Sequence, residues 1–458
     1  MHPPPKPSRP RGTFRSRPVA AVLSLLALSL PLAGCQVAGQ IVGALLGDLL
    51  GGLNGGGGGS AGYPRRNPWS AFPIANSTGG VRPTAVATAD FNNDGRVDVL
   101  ATYDGNMVQS PTVVIYFQVF QNNQITWNRV EIASSAQLAG VGGVTVADVN
   151  GDGRADVLLG TADRIVFLRA PVNPTQGVDW QRFTIDQSTG GGLGQWRDLR
   201  VAQIDNEFGL DIVAANEAAG LVCFFRQPQL FGGPETLTGN NWVRVTIANT
   251  ERTGAFGILV DDINRDGRPD VISSAPGEAN ARLVWYQHPG GNGTMAWTRS
   301  TIGNGRGITR IAIGDLDRDG RPDVVAMNPL ARTAPGANDG IQLIWYQQPS
   351  NPATPWVGQV LAQYTSNTPI DIAIADVEAN GNPDVFAATR TADTLRWFSR
   401  RDNVRSPWIE NNLIDLPVAP QWITTADIDV DARPDLVVAV RGTSEAGDGI
   451  NWYLNPEP

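Results

Sequence analysis

The sequence has few of the residues on which most catalytic and cross-linking chemistry depends. Its 458 residues include two cysteines, Cys35 and Cys223, and two histidines, His2 and His288. A disulfide framework is therefore implausible, as are a Ser-His-Asp triad and a multi-histidine zinc site. We expect a buried free thiol at Cys223 and a surface position for His288. These absences favour a protein that is not an enzyme, and we assign no catalytic residue.

Positive charge is scarce as well. The chain has 35 basic and 44 acidic residues, a net charge of −9, and its only lysine is Lys6. Five of the basic residues lie within residues 1–34, which contain no acidic residue, so the rest of the chain is more acidic still. Nucleic acids are bound through basic surfaces, and we therefore expect no nucleic-acid partner. The 52 glycines and 33 prolines favour turn-rich β structure over helical bundles.

The N-terminus has the pattern of a secretion signal. Residues 1–17 are basic and proline-rich, and residues 18–33 form an apolar run that is too short to span a membrane. The run ends in Leu-Ala-Gly-Cys35, which resembles a bacterial lipobox, where the cysteine is acylated and becomes the first residue of the mature chain. We therefore predict a lipoprotein signal peptide over residues 1–34 and lipidation at Cys35. An ordinary signal peptide with an incidental cysteine is the alternative.

Residues 35–66 are predicted to hold the lipidated cysteine, an apolar segment and a glycine-rich tether. The apolar segment covers residues 37–50, and the tether, GGLNGGGGGSAG, covers residues 51–62. Several acyl chains on one residue would make the membrane a partner through a stable lipid anchor. The residue after the cysteine is Gln36 and not an aspartate. By analogy with lipoprotein sorting, the absence of an aspartate at this position indicates the outer membrane of a Gram-negative cell envelope.

An acidic nonapeptide recurs along the rest of the chain. The copies are DFNNDGRVD (90–98), DVNGDGRAD (148–156), QIDNEFGLD (203–211), DINRDGRPD (262–270), DLDRDGRPD (315–323), DVEANGNPD (376–384) and DIDVDARPD (427–435). Successive copies begin 51–61 residues apart. A repeat of that length marks an architecture built from one supersecondary unit.

Strand-like segments surround every copy. In the fifth unit an alternating segment precedes the nonapeptide, an apolar run follows it, and then come an aromatic strand at 343–347 and a strand opening with Trp356. Four short strands per unit predict the blade of an all-β, seven-bladed β-propeller over residues 67–458, with four antiparallel strands in each blade. The last unit lacks its tryptophan strand, whereas an orphan strand, Trp69 to Ile74, precedes the first unit. We predict that this N-terminal strand completes the last blade and closes the ring.

The nonapeptide has the form D-x-[DN]-x-[DN]-G-x-x-D, with side-chain oxygens at positions 1, 3, 5 and 9. Glycine at position 6 permits a tightly curled backbone, and an all-oxygen donor set of this size suits calcium better than magnesium. An EF-hand is rejected because strands flank the loop and position 12 is not glutamate. Aspartates that only cap turns are the alternative to a metal site.

The predicted calcium ligands fall into two groups. The four complete loops contribute Asp90, Asn92, Asp94, Asp98, Asp148, Asn150, Asp152, Asp156, Asp262, Asn264, Asp266, Asp270, Asp315, Asp317, Asp319 and Asp323. The two looser loops contribute Asp376, Glu378, Asn380, Asp384, Asp427, Asp429, Asp431 and Asp435. Ala432 replaces the glycine of the last loop, which costs roughly 1–2 kcal/mol if its backbone is left-handed. We expect no tight ion in the copy at 203–211.

The repeat resembles the FG-GAP/VCBS family, which forms the blades of the integrin α-subunit propeller and of many bacterial secreted proteins. The Phe-Gly pair occurs in place only at Phe256-Gly257, so the chain is nearer to the bacterial VCBS type. The resemblance implies metal loops on one rim, ligands on the other, and a calcium-binding module that binds a protein or serves as a scaffold at the cell surface. A lectin-like propeller with a glycan partner is one alternative, and a polysaccharide lyase or hydrolase is another.

Five residues near the start of the first strands are candidates for ligand binding. Most of the 13 tryptophans recur at the repeat period and are expected to pack between blades, but Trp196 and Trp422 break it. Four of the candidates lie five positions before a nonapeptide, where the other blades have small residues. The candidates are Trp196, Asp198, Arg310, Asp371 and Trp422. Local packing and surface ion pairs are the alternative.

Overall fold

The computed structural model describes residues 69–455 apart from several short segments. These segments are 77–79, 188–194, 250–254, 276–281, 306, 330–339, 365–368, 390–393, 401–406, 416–418, 443 and 445–446. The predicted signal peptide, Cys35 and the tether lie outside the described residues. Within the described part, no helix has the length and apolar character needed to cross a membrane.

In the described residues, twenty-eight strands form seven antiparallel sheets of four strands each. The innermost strands are β2 (Pro83–Ala89), β6 (Gly143–Ala147), β10 (Trp196–Ala202), β14 (Ile258–Asp261), β18 (Ile311–Gly314), β22 (Pro369–Ala375) and β26 (Ala419–Ala426). The second strands are β3 (Asp98–Tyr103), β7 (Asp156–Gly160), β11 (Asp211–Asn216), β15 (Asp270–Ser273), β19 (Asp323–Pro329), β23 (Asp384–Thr389) and β27 (Asp435–Arg441).

The two outer strands complete each blade. The third strands are β4 (Thr112–Gln121), β8 (Arg164–Arg169), β12 (Leu221–Arg226), β16 (Arg282–Gln287), β20 (Ile341–Gln347), β24 (Thr394–Ser399) and β28 (Gly449–Leu454). The outermost strands are β5 (Gln124–Ser134), β9 (Gln181–Gln187), β13 (Val243–Ala248), β17 (Thr298–Asn304), β21 (Val357–Tyr364), β25 (Ile409–Asp415) and β1 (Ser70–Ala75). Among the residues that the structure describes, short 3-10 helices lie at Ala136–Leu138, Gly177–Asp179 and Pro234–Thr236.

The ring closes as the sequence predicts. The seventh blade has the strand order β1-β28-β27-β26, so the N-terminal strand is its outermost strand. Ser70 pairs with Leu454 at one end of the β1–β28 ladder. The ring of Trp69 lies against Phe386 and Trp397 of the sixth blade, with centroid distances of 6.1 and 6.3 Å. Closure removes the open edge that the first and last sheets would otherwise expose to pairing.

The core lies between the blades. Second strands such as β3 are buried on both faces, because each face packs against a neighbouring sheet, whereas the outermost β5 is mostly exposed. One cluster joins Ile272 and Trp285 of the fourth blade to Val324 and Tyr346 of the fifth. Burying apolar area at about 25 cal/mol per Å² makes each junction a stabilising contact, so the blades hold their loops at fixed positions.

Candidate metal-binding loops and the opposite rim

All seven acidic nonapeptides connect the first strand of a blade to its second strand. Because the first strands share one direction around the ring, the loops emerge on the same rim. We number their residues 1 to 9 from the first residue of each nonapeptide. The position-1 carboxylate holds the curl of the loop: in blade 5, Asp315 accepts the N–H groups of Asp319 at 3.0 Å and Gly320 at 2.8 Å. Gly320 has φ = +81°, as the glycine at position 6 requires.

A second residue in every loop has a left-handed backbone, which the sequence pattern did not indicate. It is always position 4. The seven residues and their φ angles are Asn93 (57°), Gly151 (77°), Asn206 (59°), Arg265 (60°), Arg318 (58°), Ala379 (50°) and Val430 (65°). Asparagine and glycine tolerate this region, but a β-branched valine does so at a cost. The blade-7 loop combines Val430 with Ala432, whose φ is 67°.

The position-9 aspartate anchors each loop to its blade. In blade 5, Asp323 is buried, and its carboxylate accepts the N–H groups of Leu316 at 3.2 Å and Gln348 at 2.9 Å. Burial raises the pKa of Asp323 to about 7, and the charges of Asp317 and Asp319 add to the shift. Burial likewise raises the pKa of the position-9 aspartates in the other blades: Asp98, Asp156 and Asp435 to about 7, Asp211 and Asp270 to about 6, and Asp384 to about 8.

Two loops gather three carboxylates at one point. The carboxylate oxygens of Asp315, Asp317 and Asp323 lie within 4.8 Å of one another, and those of Asp427, Asp429 and Asp435 do the same. Both clusters use positions 1, 3 and 9. An all-oxygen set that includes a buried carboxylate suits a hard divalent cation, because such an ion offsets charges that burial leaves poorly solvated. The residues present therefore fit a metal of the calcium type.

Four of the other loops have no aspartate at position 3. Blades 1, 2 and 4 have asparagine there, and its amide N–H donates to the position-5 carboxylate, for example from Asn92 to Asp94 at 3.1 Å. In blade 6, Glu378 accepts the side-chain amide of Asn380 at 2.7 Å, and its charge adds to the raised pKa of Asp384. These four loops keep oxygen donors at the predicted positions. Compared with the loops of blades 5 and 7, position 3 carries an amide in place of a carboxylate in blades 1, 2 and 4, and a longer side chain in blade 6.

The degenerate loop of blade 3 carries its own counterion. Arg226, from the end of β12, reaches the position-3 carboxylate of Asp205 at 2.7 Å and the position-5 carboxylate of Glu207 at 2.7 Å. The guanidinium thus neutralises the two acidic groups that in other loops would face a cation. The absence of a tightly bound ion at 203–211 stays a prediction.

Arginines also accompany the acidic loops. In five loops the position-7 arginine forms an ion pair with the position-5 aspartate. The pairs are Arg96–Asp94, Arg154–Asp152, Arg268–Asp266, Arg321–Asp319 and Arg433–Asp431. Since most of these pairs are partly exposed, each contributes little to stability. The arginines reduce the net negative charge of each loop through position 5, and these ion pairs do not involve the side chains at positions 1, 3 and 9.

A polar latch connects consecutive loops, and sequence reasoning missed it. In five blades a residue within or directly after the third strand donates its backbone N–H to the position-9 aspartate, and its side chain reaches the position-2 carbonyl of the preceding blade's loop. The latches are Gln118 to Ile428 (2.6 Å), Gln227 to Val149 (2.9 Å), His288 to Ile204 (2.9 Å), Gln348 to Ile263 (2.6 Å) and Asn455 to Val377 (2.5 Å). The signal in the sequence is a Gln, His or Asn that recurs directly after the aromatic strand.

His288 belongs to this set, which corrects the expected surface position. The imidazole is buried, its Nδ1 accepts the N–H of Gly290 at 2.9 Å, and its Nε2 therefore donates to Ile204. Burial lowers the pKa of His288, so the ring is neutral.

The expected buried free thiol at Cys223 is confirmed. Burial raises the pKa of Cys223 far above its usual range, so it is unreactive.

On the opposite rim, two of the ligand candidates cross-link neighbouring blades. Asp198 of blade 3 accepts the N–H of Ile258 in blade 4 at 2.9 Å, and it also pairs with Arg200. Asp371 of blade 6 accepts the N–H of Ile423 in blade 7 at 3.0 Å. Burial raises the pKa of Asp371 to about 6 although the charge of Arg310 lowers it.

The remaining candidates separate into a buried residue and an axial pair. Trp196 is fully buried and packs against Phe225 at 5.8 Å, so it belongs to the core between blades 2 and 3. The Arg310 guanidinium lies 4.7 Å from the ring centroid of Trp422 and 5.5 Å from that of Phe256. These three residues come from blades 5, 7 and 4, and side chains of non-adjacent blades meet only near the axis. A ligand-binding role for the five residues stays a prediction.

FG-GAP-like repeats are found at residues 90–159 and 262–326, and these matches contain all four complete acidic loops. The protein is therefore a seven-bladed β-propeller with FG-GAP-like repeats. Among solved structures, BBS1N in complex with ARL6DN, soaked with lead, is similar with a TM-score of 0.50 and 10% identity, covering 86% of this chain and 98% of that chain. At that identity the likeness concerns the fold alone.

A second similar structure is that of an Agrocybe aegerita lectin that recognises non-reducing terminal N-acetylglucosamine. It matches with a TM-score of 0.44 and 15% identity, over 78% of this chain and 83% of that chain. A search of curated protein sequences gives no match.

Proposed function

We propose that this propeller is a calcium-binding, lipid-anchored module that binds a partner at the outer membrane of the cell envelope and catalyses no reaction. The observation that carries the calcium assignment is the convergence of three carboxylates in the loops of blades 5 and 7. In each cluster the position-9 aspartate is buried and its pKa is raised to about 7, so a divalent cation would relieve an electrostatic cost.

Calcium in this role is structural. It would be held by positions 1, 3, 5 and 9, and it would bind the folded loop in preference to the unfolded chain. At affinities of about 10⁻⁴–10⁻³ M, typical of extracellular modules, 5 mM calcium would add about 1–2 kcal/mol per occupied site. Such sites fill outside the cytoplasm, where calcium is abundant, and this agrees with the proposed export.

A binding role is favoured over catalysis by the state of the reactive groups. His288 and Cys223 are both buried and engaged in the core, and the raised-pKa aspartates are held by backbone N–H groups. Closed propellers present loops on a rigid frame, which suits recognition. BBS1N, the similar propeller, is itself found in complex with ARL6DN.

Thermal unfolding tests the calcium proposal. We expect the melting temperature to rise by several degrees between a chelator and 5 mM calcium, and to rise less with 5 mM magnesium. Asp317→Ala is expected to remove about one site's share of that rise. Asp179→Ala, which changes an exposed aspartate outside the loops, is the matched control. A melting temperature that does not respond to calcium would overturn the assignment.

Fractionation tests the anchor. The full-length protein expressed in a Gram-negative host is expected in the outer-membrane fraction, and Cys35→Ser is expected in the soluble periplasmic fraction. Identical behaviour of the two forms would contradict lipidation at Cys35.

A further inference from the structure

Exposed apolar side chains are unevenly distributed between the two rims of the propeller. Among the residues that the structure describes, most of the exposed large apolar ones lie on the rim of the acidic loops. The most exposed of these belong to the connections between the third and fourth strands of blades 2, 3 and 4. They are Val172 (84% exposed), Val178 (91%), Phe231 (89%) and Met295 (61%). Side chains so far from the core add nothing to its packing, so they are available to another surface.

The connections that carry these side chains are fixed in place and have little charge. They are residues 171–180, 227–242 and 288–297, which contain no lysine or arginine and two acidic residues, Asp179 and Glu235. Glu235 is already paired with Arg154 of blade 2. In each connection a backbone carbonyl accepts the indole N–H of the tryptophan that ends it: Trp180 to Pro174 at 3.0 Å, Trp242 to Thr238 at 2.8 Å and Trp297 to Gly293 at 2.9 Å. The apolar side chains are therefore held out from an ordered frame.

The chain also enters the propeller on the acidic rim. Ser70, the first residue of β1, pairs with Leu454 at the end of β28. Asn455, directly after β28, donates its side-chain amide to the acidic loop of blade 6 at 2.5 Å, so this end of the two strands lies at the acidic rim. The predicted lipid anchor at Cys35 leads to β1 through the glycine-rich tether at 51–62, whose typical reach as a random coil is about 20 Å. An anchored chain thus keeps this rim, and not the opposite one, close to the bilayer.

A lipid surface suits the exposed side chains better than a folded partner does. The side chains lie on separate connections of three blades, whereas a protein interface needs a continuous patch with a complementary shape. A fluid bilayer accepts separate apolar groups at the boundary between headgroups and acyl chains without any matching shape. The carboxylates of the acidic loops are the predicted calcium ligands, so they take no part in selecting this partner.

We propose that the acidic rim of the propeller lies against the membrane surface, with the exposed side chains of the blade-2, blade-3 and blade-4 connections inserted at the headgroup boundary. The lipid anchor supplies most of the affinity, and the rim fixes the orientation of the ring. The opposite rim, which carries the candidate ligand residues, then faces away from the membrane and is open to the partner. This inference rests on the proposed lipid anchor.

Orientation is measured on the full lipidated chain in vesicles of phosphatidylethanolamine and phosphatidylcholine, with calcium present. Val178→Cys on the acidic rim and Val108→Cys on the opposite rim each carry an environment-sensitive fluorophore, and these two valines are 91% and 92% exposed. Cys223 is buried and unreactive, so it takes up no label. We expect the label at position 178 to shift to shorter wavelength and to be quenched by a lipid-borne quencher. The label at position 108 should behave as it does in water.

A second measurement does not depend on the anchor. In the full chain with Cys35→Ser, we expect Phe231→Asp to lower the fraction that sediments with the vesicles at least about threefold, because an inserted carboxylate must lose its hydration. Met107→Asp is the matched control, since Met107 is fully exposed on the opposite rim, and it should leave the fraction unchanged. Both side chains are so exposed that their replacement leaves folding intact.

Equal responses of the two labels, or equal sedimentation of the two aspartate variants, overturns the membrane-facing rim. A spectral shift at position 178 that needs a high protein concentration and no vesicles assigns the surface to a second copy of the chain and overturns it as well. Fractionation of Cys35→Ser tests the anchor by itself. If the anchor holds and the labels respond equally, the proposed function stands and the membrane-facing rim alone is wrong.

Discussion

At the scale of single residues, the acidic loops combine a ligand-like donor set with stored backbone strain. Positions 4 and 6 are left-handed in the blade-7 loop, yet they hold Val430 and Ala432 instead of asparagine and glycine. Ala432 still donates its N–H to Asp427 at 2.9 Å, and Asp427, Asp429 and Asp435 converge as closely as in blade 5. The loop therefore keeps its geometry at a cost in stability.

Ala432→Gly is expected to stabilise the protein by about 1 kcal/mol, because glycine reaches the left-handed region without the steric penalty of a Cβ. The measurement is denaturant unfolding in chelator. The matched control is the reverse change in blade 4, Gly267→Ala. A Cβ there meets no atom within 4 Å and φ is +83°, so backbone strain alone should destabilise by about 1 kcal/mol. If Ala432→Gly and Gly267→Ala change the free energy of unfolding by the same amount and in the same direction, the assignment of backbone strain to the blade-7 loop is wrong.

At the scale of the element, the latch residue near the end of the third strand couples five of the blades to a neighbour. Gln348 donates its backbone N–H to Asp323 of its own blade and its side-chain amide to Ile263 of the preceding loop. One residue thus ties the second strand, the third strand and a neighbouring loop together. Such bonds are buried, where loss of one partner leaves the other unsatisfied.

Gln348→Met keeps the length of the side chain and removes the donor, so we expect a loss of about 1–3 kcal/mol in the free energy of unfolding. The exposed Gln359→Met on β21 is the control and should change stability by less than about 0.5 kcal/mol. Calcium titration of the Gln348→Met protein should also show weaker binding in blade 4, whose loop contains Ile263. A variant as stable as the control would mean that the latch contributes nothing.

At the scale of the whole molecule, seven buried position-9 aspartates form a ring of groups with raised pKa values. A carboxyl whose folded-state pKa is raised adds stability that is fully present below its unfolded value, near 4, and that is lost as the pH rises through the folded value. The pH range over which this stability is lost ends near pH 7 for Asp323 and Asp435, and near pH 8 for Asp384.

We therefore expect the calcium-free protein to lose stability between pH 5 and pH 8, by up to about 1.4 kcal/mol per pH unit for each titrating group. Calcium should reverse the trend, because its ligands must be deprotonated and binding releases protons. Melting curves across this range, with chelator and with 5 mM calcium, give the comparison. Parallel curves in the two conditions would argue against cation binding by these carboxylates.

Ring closure gives a second prediction at this scale. Removal of residues 1–75 takes away β1, exposes the edge of β28 and uncovers Phe386 and Trp397. The truncated protein is expected to aggregate or to unfold at a markedly lower temperature than a chain that begins at Arg66, which keeps β1 intact. Equal melting temperatures for the two truncations would show that closure by β1 is dispensable.

The sequence by itself determined the architecture, because each blade repeats the same short pattern of strands around an acidic nonapeptide. The period-2 strands, the recurring nonapeptide and the orphan strand at Trp69 predicted seven blades and their closure, and local patterns of this kind depend on contacts within one blade. The candidate metal loops were also visible, since their donors lie within nine residues.

Tertiary structure decided what depends on neighbouring blades. It placed His288 in a buried latch, gave the blade-3 loop its counterion from Arg226, enclosed Trp196 and brought Arg310 onto Trp422. It also placed the exposed apolar side chains of blades 2 to 4 on the rim where the chain enters the ring. These partners are 20 or more residues apart in the chain or lie in different blades. Their meeting depends on how the sheets pack around the axis, which no local pattern in the sequence specifies.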